Sequence, residues 1–372
     1  MNITTIQLGY EVRENSTVGQ DPRSSFSLTP YPKMRFNRMS VDEQLMRAMV
    51  LDAASKRLHL EHVAVPKYGP DEVLVKVEAC GVCRTDLHVI DGDLKYPKPD
   101  VILGHEIVGV VTARGKGVNQ LHVGDRVGIP WLGQTCGKCK YCLSGNENLC
   151  DNPVFTGYTR DGGYAEYAVA DANYCFPLTL AMPAVSIAPL LCAGLIGWRC
   201  FKLAGPCKTL GLYGFGVAAH MLCRVAVSRG CDIYAFTRDG DTAGQAFARK
   251  SGSVWAGGSG ESPPQPLDAA IIFAPVGGLV PVTLQAVRKG GVVVCGGIHM
   301  SDIPSFSYDL LWGERVLRSV ANLTRADAAE YLSVAADCRV EPCTQIYNLE
   351  GANRAVEEFR EGKTVGAAVL VP

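Results

Sequence analysis

Cys136-x2-Cys139-x2-Cys142-x7-Cys150 constrains this chain more than any other feature of its sequence. Four thiolates close a tetrahedral shell on Zn²⁺ and leave no open position, the pattern of a structural metal site. Gly137, Lys138, Lys140, Tyr141, Gly145 and Asn146 lie between them. They suit a tight loop that turns around an ion, and the two lysines offset part of the thiolate charge. An iron–sulfur cluster is the other chemistry such a set supports, and chance clustering is the bland alternative in a chain with 15 cysteines. The odd number, in a long chain whose N-terminus lacks a basic segment followed by an apolar core, favours metal binding over a disulfide framework.

At 372 residues the chain exceeds what one hydrophobic core organises, so two domains are expected. A formal net charge of −1 gives no electrostatic reason to seek phosphate backbones or anionic membranes. No apolar run reaches the about 18–20 residues of a spanning helix. Nucleic acid and membrane are therefore not expected partners, and a cytoplasmic location is expected. Residues 1–45 read as a polar N-terminal extension, with Gly9, Gly19, Pro22, Pro30 and Pro32 and no sustained period. It is expected to pack loosely on the body, and Glu11, Glu14 and Asp21 argue against a transit peptide.

From Met46 to about Pro183, short strand candidates alternate with Gly and Pro punctuation: Ala48 to Leu51, Val73 to Val77, Ile107 to Val111, Val127 to Ile129 and Tyr164 to Val169. That spacing points to a β-rich, partly closed barrel. After about Cys192 the texture changes. Short apolar strands at Thr209 to Tyr213, Asp232 to Thr237, Ala269 to Ala274 and Gly291 to Cys295 are interleaved with helical stretches at Ala218 to Ser228 and Val280 to Arg288. Strands alternating with helices imply right-handed βαβ units and a doubly wound parallel sheet. The last stretch offers a helix, Asp327 to Ala336, and a strand, Val365 to Val371, whose placement the local pattern leaves open.

Gly211-Leu212-Tyr213-Gly214-Phe215-Gly216-Val217-Ala218-Ala219 follows the first of those strands and opens a helix. The register Gly214-x-Gly216-x-x-Ala219 gives a dinucleotide fingerprint with alanine last; starting at Gly211 would put Tyr213 where a glycine belongs. An acidic residue that grips the ribose 2′-OH of NAD should end the second strand, but Thr237-Arg238 stand there. A hydroxyl and a guanidinium suit a 2′-phosphate, so NADP is slightly favoured over NAD, with Asp239 and Asp241 close enough to keep the margin thin.

A further constellation, Gly81-Val82-Cys83-Arg84-Thr85-Asp86-Leu87-His88 with Gly104-His105-Glu106, stands before the cysteine cluster, and Pro189-Leu190-Leu191-Cys192-Ala193-Gly194 after it. Together these segments resemble the zinc-containing alcohol dehydrogenases of the medium-chain dehydrogenase superfamily, over about residue 46 to the C-terminus. The resemblance implies that Cys83, His105 and Cys192 bind a catalytic zinc, leaving the fourth position to water or substrate. Two thiolates and one imidazole are the ligand count of such a site. Taken singly, His105 would read as a satisfied core histidine and Cys192 as a small buried hydrophobe. Asp86 would accept the other ring N–H of His105, and the resemblance puts Glu106 behind the metal. It also gives Thr85 as acceptor of the alcohol proton, passed by way of the cofactor ribose to His88 at the surface, where an imidazole suits exchange with water.

By the same resemblance Arg84 would reach the cofactor pyrophosphate, and Trp131 walls the substrate pocket, burial in the barrel being the alternative. Gly277, Gly296 and His299 fall in loops after later strands, at the carboxyl edge where the nicotinamide should lie. An arginine usual near Ala367 is missing. The cysteines outside the two ligand sets, Cys80 and Cys295 among them, are assigned to packing.

The fold expected is thus α/β: a GroES-like β-rich catalytic domain at 46–192, completed by 323–372, and a Rossmann doubly wound parallel-sheet domain at 193–322. The function expected is zinc-dependent alcohol dehydrogenation, with two zinc ions per chain, NAD(P), a small-molecule alcohol or aldehyde, and a homo-oligomer (dimer or tetramer). The rivals are a zinc-free quinone or enoyl reductase on the same scaffold, and a zinc-stabilised binding module.

Overall fold

Period-two burial builds the first large sheet. Strand Glu72–Gly81 turns Val73, Val75, Val77 and Ala79 inward and exposes Lys76 and Glu78, the alternation of a strand with one packed face. It pairs antiparallel with Glu106–Arg114 from residue 73 to residue 81. Its other edge is shared: Tyr167–Asp171 takes residues 72–76, and the C-terminal strand Ala367–Val371 takes residues 80 and 81. Thr344–Asn348 extends the sheet on one side, and Arg126–Ile129 and Phe176–Pro177 on the other. The last strand of the chain therefore returns to the sheet begun by its first half.

The computed structural model describes residues 44–372 except Tyr96 and Val365. The N-terminal extension expected over 1–45 lies outside the described residues up to residue 43. A hairpin, Leu45–Asp52 with Arg57–Ala64, is bridged to the rest through Ala48 and Ala165 and through Val50 and Ile102. Its second strand is not legible in the sequence because Leu58 is its only buried residue.

The second sheet has six strands, all parallel, in the order Trp255–Gly258, Asp232–Thr237, Thr209–Tyr213, Leu267–Ile272, Val287–Cys295, Val316–Ser319. Alternation again sorts the side chains. Leu210, Leu212, Ile233, Ala269 and Ile271 pack with Leu222 and Ala226 of helix Val217–Ser228 on one face. Tyr213, Phe236, Ala270 and Ile272 pack with Val280 and Leu284 of helix Leu279–Ala286 on the other. This is the doubly wound parallel sheet expected. Two of its strands have the bounds read from sequence. The strand expected at Ala269 to Ala274 instead ends at Ile272, and the N–H groups of Phe273 and Ala274 turn to the Tyr213 carbonyl. The outer strands were missed: Trp255–Gly258 carries two glycines, and Val316–Ser319 has no buried residue.

A third core joins the first sheet to helices that flank the second. Ala79, Val108 and Val369 of the first sheet meet Ile187, Leu190, Leu195 and Trp198, then Met221 and Val225 of the fingerprint helix and Tyr331 of helix Arg325–Asp337. Among the described residues no single helix is long and apolar enough to cross a membrane. The one bent pair with such composition, 184–191 and 193–204, buries its large side chains in this core.

At the amino edge of the parallel sheet Asp268 accepts from the N–H groups of Lys208 (2.8 Å) and Thr209 (2.9 Å) and pairs with Arg288 Nε at 2.7 Å. The Arg288 bond, aided by those N–H groups, holds its carboxyl at about 2, below the ordinary 3.8. A depressed carboxyl stabilises the fold above its unfolded pKa and loses that contribution as pH falls through the folded value. Asp268→Asn should therefore lower stability by about 1–2 kcal/mol at neutral pH and by nearly nothing at pH 2. Urea unfolding across that range measures it; a pH-independent loss would contradict the assignment.

Candidate metal and dinucleotide site

The four-cysteine loop folds around its own sulfurs. Cys136, Cys139, Cys142 and Cys150 bring their Sγ atoms within 4.8 Å of one another, with Cys139–Cys142 at 3.6 Å and Cys136–Cys142 at 4.0 Å. Sulfurs tetrahedrally disposed on zinc, each about 2.3 Å from it, lie about 3.8 Å apart, so the set fits that ion. Backbone N–H groups point at the sulfurs: Cys139 N donates to Cys136 Sγ (3.3 Å), and Cys136 N and Asn152 N donate to Cys150 Sγ (each 3.4 Å). Donors aimed at sulfur favour thiolate. The Cys142 N–H brings the Cys139 thiol down to about 6, while burial pushes Cys150 up to about 11.

The second cluster gathers Cys83, His105, Glu106 and Cys192 from three separate stretches of chain, with ligand atoms within 4.8 Å. Cys83 caps helix Arg84–Asp91, Cys192 caps helix Ala193–Ala204, and His105 precedes strand Glu106–Arg114. The two sulfurs stand 3.6 Å apart. His105 is fully buried, and neither ring nitrogen has a hydrogen-bond partner. Its Nδ1 lies 3.3 Å from Asp86 Oδ1, which leaves Nε2 as the free ring nitrogen. An orphaned buried polar atom costs about 1–3 kcal/mol, so the arrangement suits a cation that accepts electron pairs.

The electrostatics say the same. A hydrogen bond from Cys192 draws the Cys83 thiol down against its burial, and that partner together with burial drives Cys192 up. Burial, then Cys83, pushes the Glu106 carboxyl well up. Burial opposes charge on His105, yet Asp86 and Cys83 raise its pKa. Several acidic groups and one imidazole compete in a largely buried space. Gly81 makes room for Glu106, since a Cβ there would overlap Oε2 of that carboxylate.

Around this cluster stand the remaining residues singled out from the sequence. Thr85 is buried, with Oγ1 3.8 Å from Cys83 Sγ. Asp86 accepts from Cys83 N (2.8 Å) and from the Tyr164 hydroxyl (3.0 Å) through Oδ2. Trp131 is buried; its ring meets His105 edge-on at 4.8 Å and stacks on Phe155 and Tyr158. One expectation changes, and two residues make contacts the sequence does not show. His88, expected at the surface, is 8% exposed, because its helix packs inward and Nδ1 bonds Asp93 Oδ2 at 2.8 Å. Asp93 is the partner open to solvent, and exposed His299 lies 5.0 Å from the His88 ring. Arg84, assigned to pyrophosphate, rests over the Phe359 ring. Thr237, assigned with Arg238 to a 2′-phosphate, bonds the carbonyls of Arg238 (3.2 Å) and Gly257 (3.4 Å).

The dinucleotide turn sits at the carboxyl end of strand Thr209–Tyr213. Gly214 has φ +90°, and a Cβ there would crowd the Ala274 backbone N, so only glycine fits easily. Gly216 is the N-cap of helix Val217–Ser228, and Ala219 is fully buried against the sheet. Arg238 is exposed just past Thr237; Asp241 is engaged as N-cap of helix Thr242–Lys250, and Asp239 faces the N–H of Gly260 at 3.5 Å. Gly277 donates to Ser301 Oγ (2.9 Å) and Gly296 to the Ile272 carbonyl (2.9 Å). Asp93 and Tyr164 were missed by sequence reasoning, since no local pattern marks a loop aspartate or core tyrosine as a partner of residues far along the chain.

An antiparallel unit carrying two cysteine-rich clusters, joined to a parallel sheet with a glycine turn, defines a medium-chain dehydrogenase. Residues 69–180 match the family described as the alcohol dehydrogenase GroES-like domain. The chain is 45% identical over 315 residues to the probable alcohol dehydrogenase AdhA of Mycobacterium tuberculosis, spanning 82% of this chain and 90% of that one. An alcohol dehydrogenase of Geobacillus stearothermophilus is 38% identical, over 87% of this chain and 98% of its own. Among solved structures, acetophenone reductase from Geotrichum candidum in complex with NAD superposes with a TM-score of 0.80 at 26% identity, over 88% of this chain and 97% of that chain. The chain belongs to the alcohol dehydrogenase family of the medium-chain dehydrogenases.

Tyr164→Phe removes one of the donors that hold Asp86 against His105. A hydrogen bond to a charged acceptor contributes about 1.5–3 kcal/mol, so urea unfolding should show a loss near the lower figure with an unchanged m-value. No loss would mean that the Tyr164 hydroxyl is not bound to the carboxylate.

Proposed function

We propose that this chain is a zinc-dependent alcohol dehydrogenase that moves a hydride reversibly between a primary or secondary alcohol and a nicotinamide dinucleotide. The observation that carries the reading is the meeting of Cys83, His105 and Cys192, far apart in sequence, around an unpartnered buried imidazole nitrogen. In this reading those three residues hold a catalytic zinc, with Glu106 in reserve, and Cys136, Cys139, Cys142 and Cys150 hold a structural one. The catalytic domain is 46–192 with 323–372, the dinucleotide domain 193–322, and the cleft between them the active site. The thiolate-rich sites suit a reducing cytoplasm. The open edge of strand Val316–Ser319, beside exposed Tyr308 and Trp312, supports a homo-oligomer.

Zinc, when bound, supplies Lewis acidity that lowers the pKa of an oxygen it contacts, and a nicotinamide ring supplies the hydride acceptor. The protein's own groups do the rest. Asp86 fixes the His105 ring and its tautomer. Thr85 Oγ1, beside Cys83, accepts the hydrogen bond of the substrate hydroxyl. Trp131 closes one wall of the pocket and excludes water. His88, with Nδ1 on Asp93, keeps Nε2 free to hold the released proton, and Asp93 carries that end of the site toward solvent. On the other side of the cleft, the N–H groups at Gly216 and the start of its helix bind phosphate.

NADP is favoured over NAD because the acidic side chains after the second strand face nearby backbone N–H groups, while the exposed Arg238 guanidinium stands where that strand ends. Arg238→Ala should weaken NADPH binding by about 10- to 150-fold, the worth of a charge-assisted contact of about 1.5–3 kcal/mol, and leave NADH nearly unchanged. Fluorescence titration of the two cofactors measures this; equal losses for both would mean that Arg238 stacks on adenine instead.

Purified protein should contain two zinc ions per chain. Cys192→Ala should lose about one of them with nearly all turnover while remaining folded, and Cys136→Ala should lose stability first. Elemental analysis with an initial-rate panel of alcohols, NAD and NADP side by side, tests both statements. A single zinc in active protein, or no turnover of any alcohol or aldehyde, would overturn the reading.

A further inference from the structure

The four-cysteine loop is tied to more than its own sulfurs. Glu147 lies within it, in the short turn Glu147–Leu149, and is 6% exposed. Its Oε1 accepts from Arg325 N (3.0 Å) and Arg325 Nε (3.2 Å). The same guanidinium lies over the Tyr174 ring at 5.1 Å; the Tyr174 hydroxyl is 2.6 Å from Thr135 Oγ1, which in turn accepts from Cys142 Sγ at 3.4 Å. Buried Asn148 donates to the Ala321 carbonyl at 2.7 Å. Two neighbouring loop residues and one aromatic therefore grip the start of helix Arg325–Asp337.

That helix grips another. Asp327, 2% exposed, caps it through Thr324 N (2.9 Å) and Thr324 Oγ1 (2.8 Å). The same carboxylate pairs with Arg199 and with Lys202 (3.1 Å), both on helix Ala193–Ala204. Glu330 adds a bond to Lys202 at 2.5 Å. Tyr331 lies against Gly194, where a Cβ would overlap its ring. Helix Ala193–Ala204 begins at Cys192, its N-cap. Apart from the exposed Lys202–Glu330 pair, the joints between loop and Cys192 helix are buried or half-buried polar contacts or close packing contacts, and rigid elements joined this way transmit displacement.

We propose that Glu147 and Asp327 are positioning residues through which the four-cysteine loop holds Cys192 in place, so that the structural site supports retention of the catalytic metal. This rests on the zinc reading above. Glu147 acts on the helix start and Asp327 on the Cys192 helix, each through contacts with residues other than Cys83, His105 and Cys192 themselves. Loosening either joint lets the Cys192 thiolate drift from Cys83 and His105, which speeds metal loss without touching a ligand.

The test is the rate at which zinc-loaded protein yields its metal to a chromophoric chelator. The phase absent in Cys192→Ala identifies the catalytic zinc. Glu147→Ala and Asp327→Asn should speed that phase by about 2- to 30-fold, the range for residues along a coupling network. Glu147→Gln, which keeps an acceptor for Arg325 N, should give a smaller effect and serves if Glu147→Ala does not fold. Asp268→Asn, which loosens the far edge of the parallel sheet, is the stability-matched control and should leave the phase unchanged. An unchanged phase in the Glu147 variants, or equal acceleration in Asp268→Asn, overturns the proposal. Wild-type protein with the same zinc content as Cys192→Ala overturns the underlying reading instead, and elemental analysis before chelation tells the two failures apart.

Discussion

Much of this molecule is organised by one carboxylate with no access to water. Asp86 is the third residue of helix Arg84–Asp91, so it caps that helix through the N–H of Cys83 while its other oxygen faces His105. One side chain thus fixes the direction in which Cys83 leaves the strand and the rotation of the imidazole. A buried carboxylate is tolerable only with donors around it. The Tyr164 hydroxyl and the Cys83 N–H are those donors, and Gly104 and Gly163, whose Cβ atoms would overlap neighbouring side chains, keep the surrounding loops close.

The meeting of Cys83, His105 and Cys192 also depends on the packing between the first sheet and the helices beside the second. His105 and Glu106 come from the antiparallel sheet, whereas Cys192 starts a helix whose apolar face is shared by Met221 and Val225 of the fingerprint helix. The three side chains meet only when that shared core has formed. The proposed metal and the proposed dinucleotide are in this sense folded together, since the helix that opens at Gly216 packs into the same cluster that carries Leu190, Leu191 and Leu195.

Much of the fold and much of the site could be read in advance, for different reasons. The central parallel strands were legible because they are continuous apolar runs bounded by glycine or a charged residue, and two of them have the bounds expected. Outer strands were not: Arg57–Ala64 buries only Leu58 and Val316–Ser319 buries none, so neither leaves a pattern, while Trp255–Gly258 is mostly buried but half glycine. The four-cysteine set was legible through spacing, and the Cys83, His105, Cys192 set only through resemblance to a known family. Asp93, Tyr164, Glu147 and Asp327 were invisible as site residues, because each makes its decisive contact with a residue whose distance along the chain carries no signal.

The sequence by itself determined the chemistry available: two groups of soft ligands, a glycine turn between strand and helix, and a guanidinium where an acid would otherwise select the cofactor. The four-cysteine group and the glycine turn are local properties, written in residue type and short spacing, whereas Cys83, His105 and Cys192 lie far apart along the chain. Tertiary structure decided which of those groups meet and what each is free to do. It buried His88 behind Asp93, engaged Asp239 and Asp241 on nearby backbone N–H groups, spent the Thr237 hydroxyl on carbonyls, and set Arg84 over Phe359. The physical reason is that hydrogen bonding and burial are settled by neighbours in space, and those neighbours appear only when Cys83, His105 and Cys192 are brought together by the packing of two sheets around one helix.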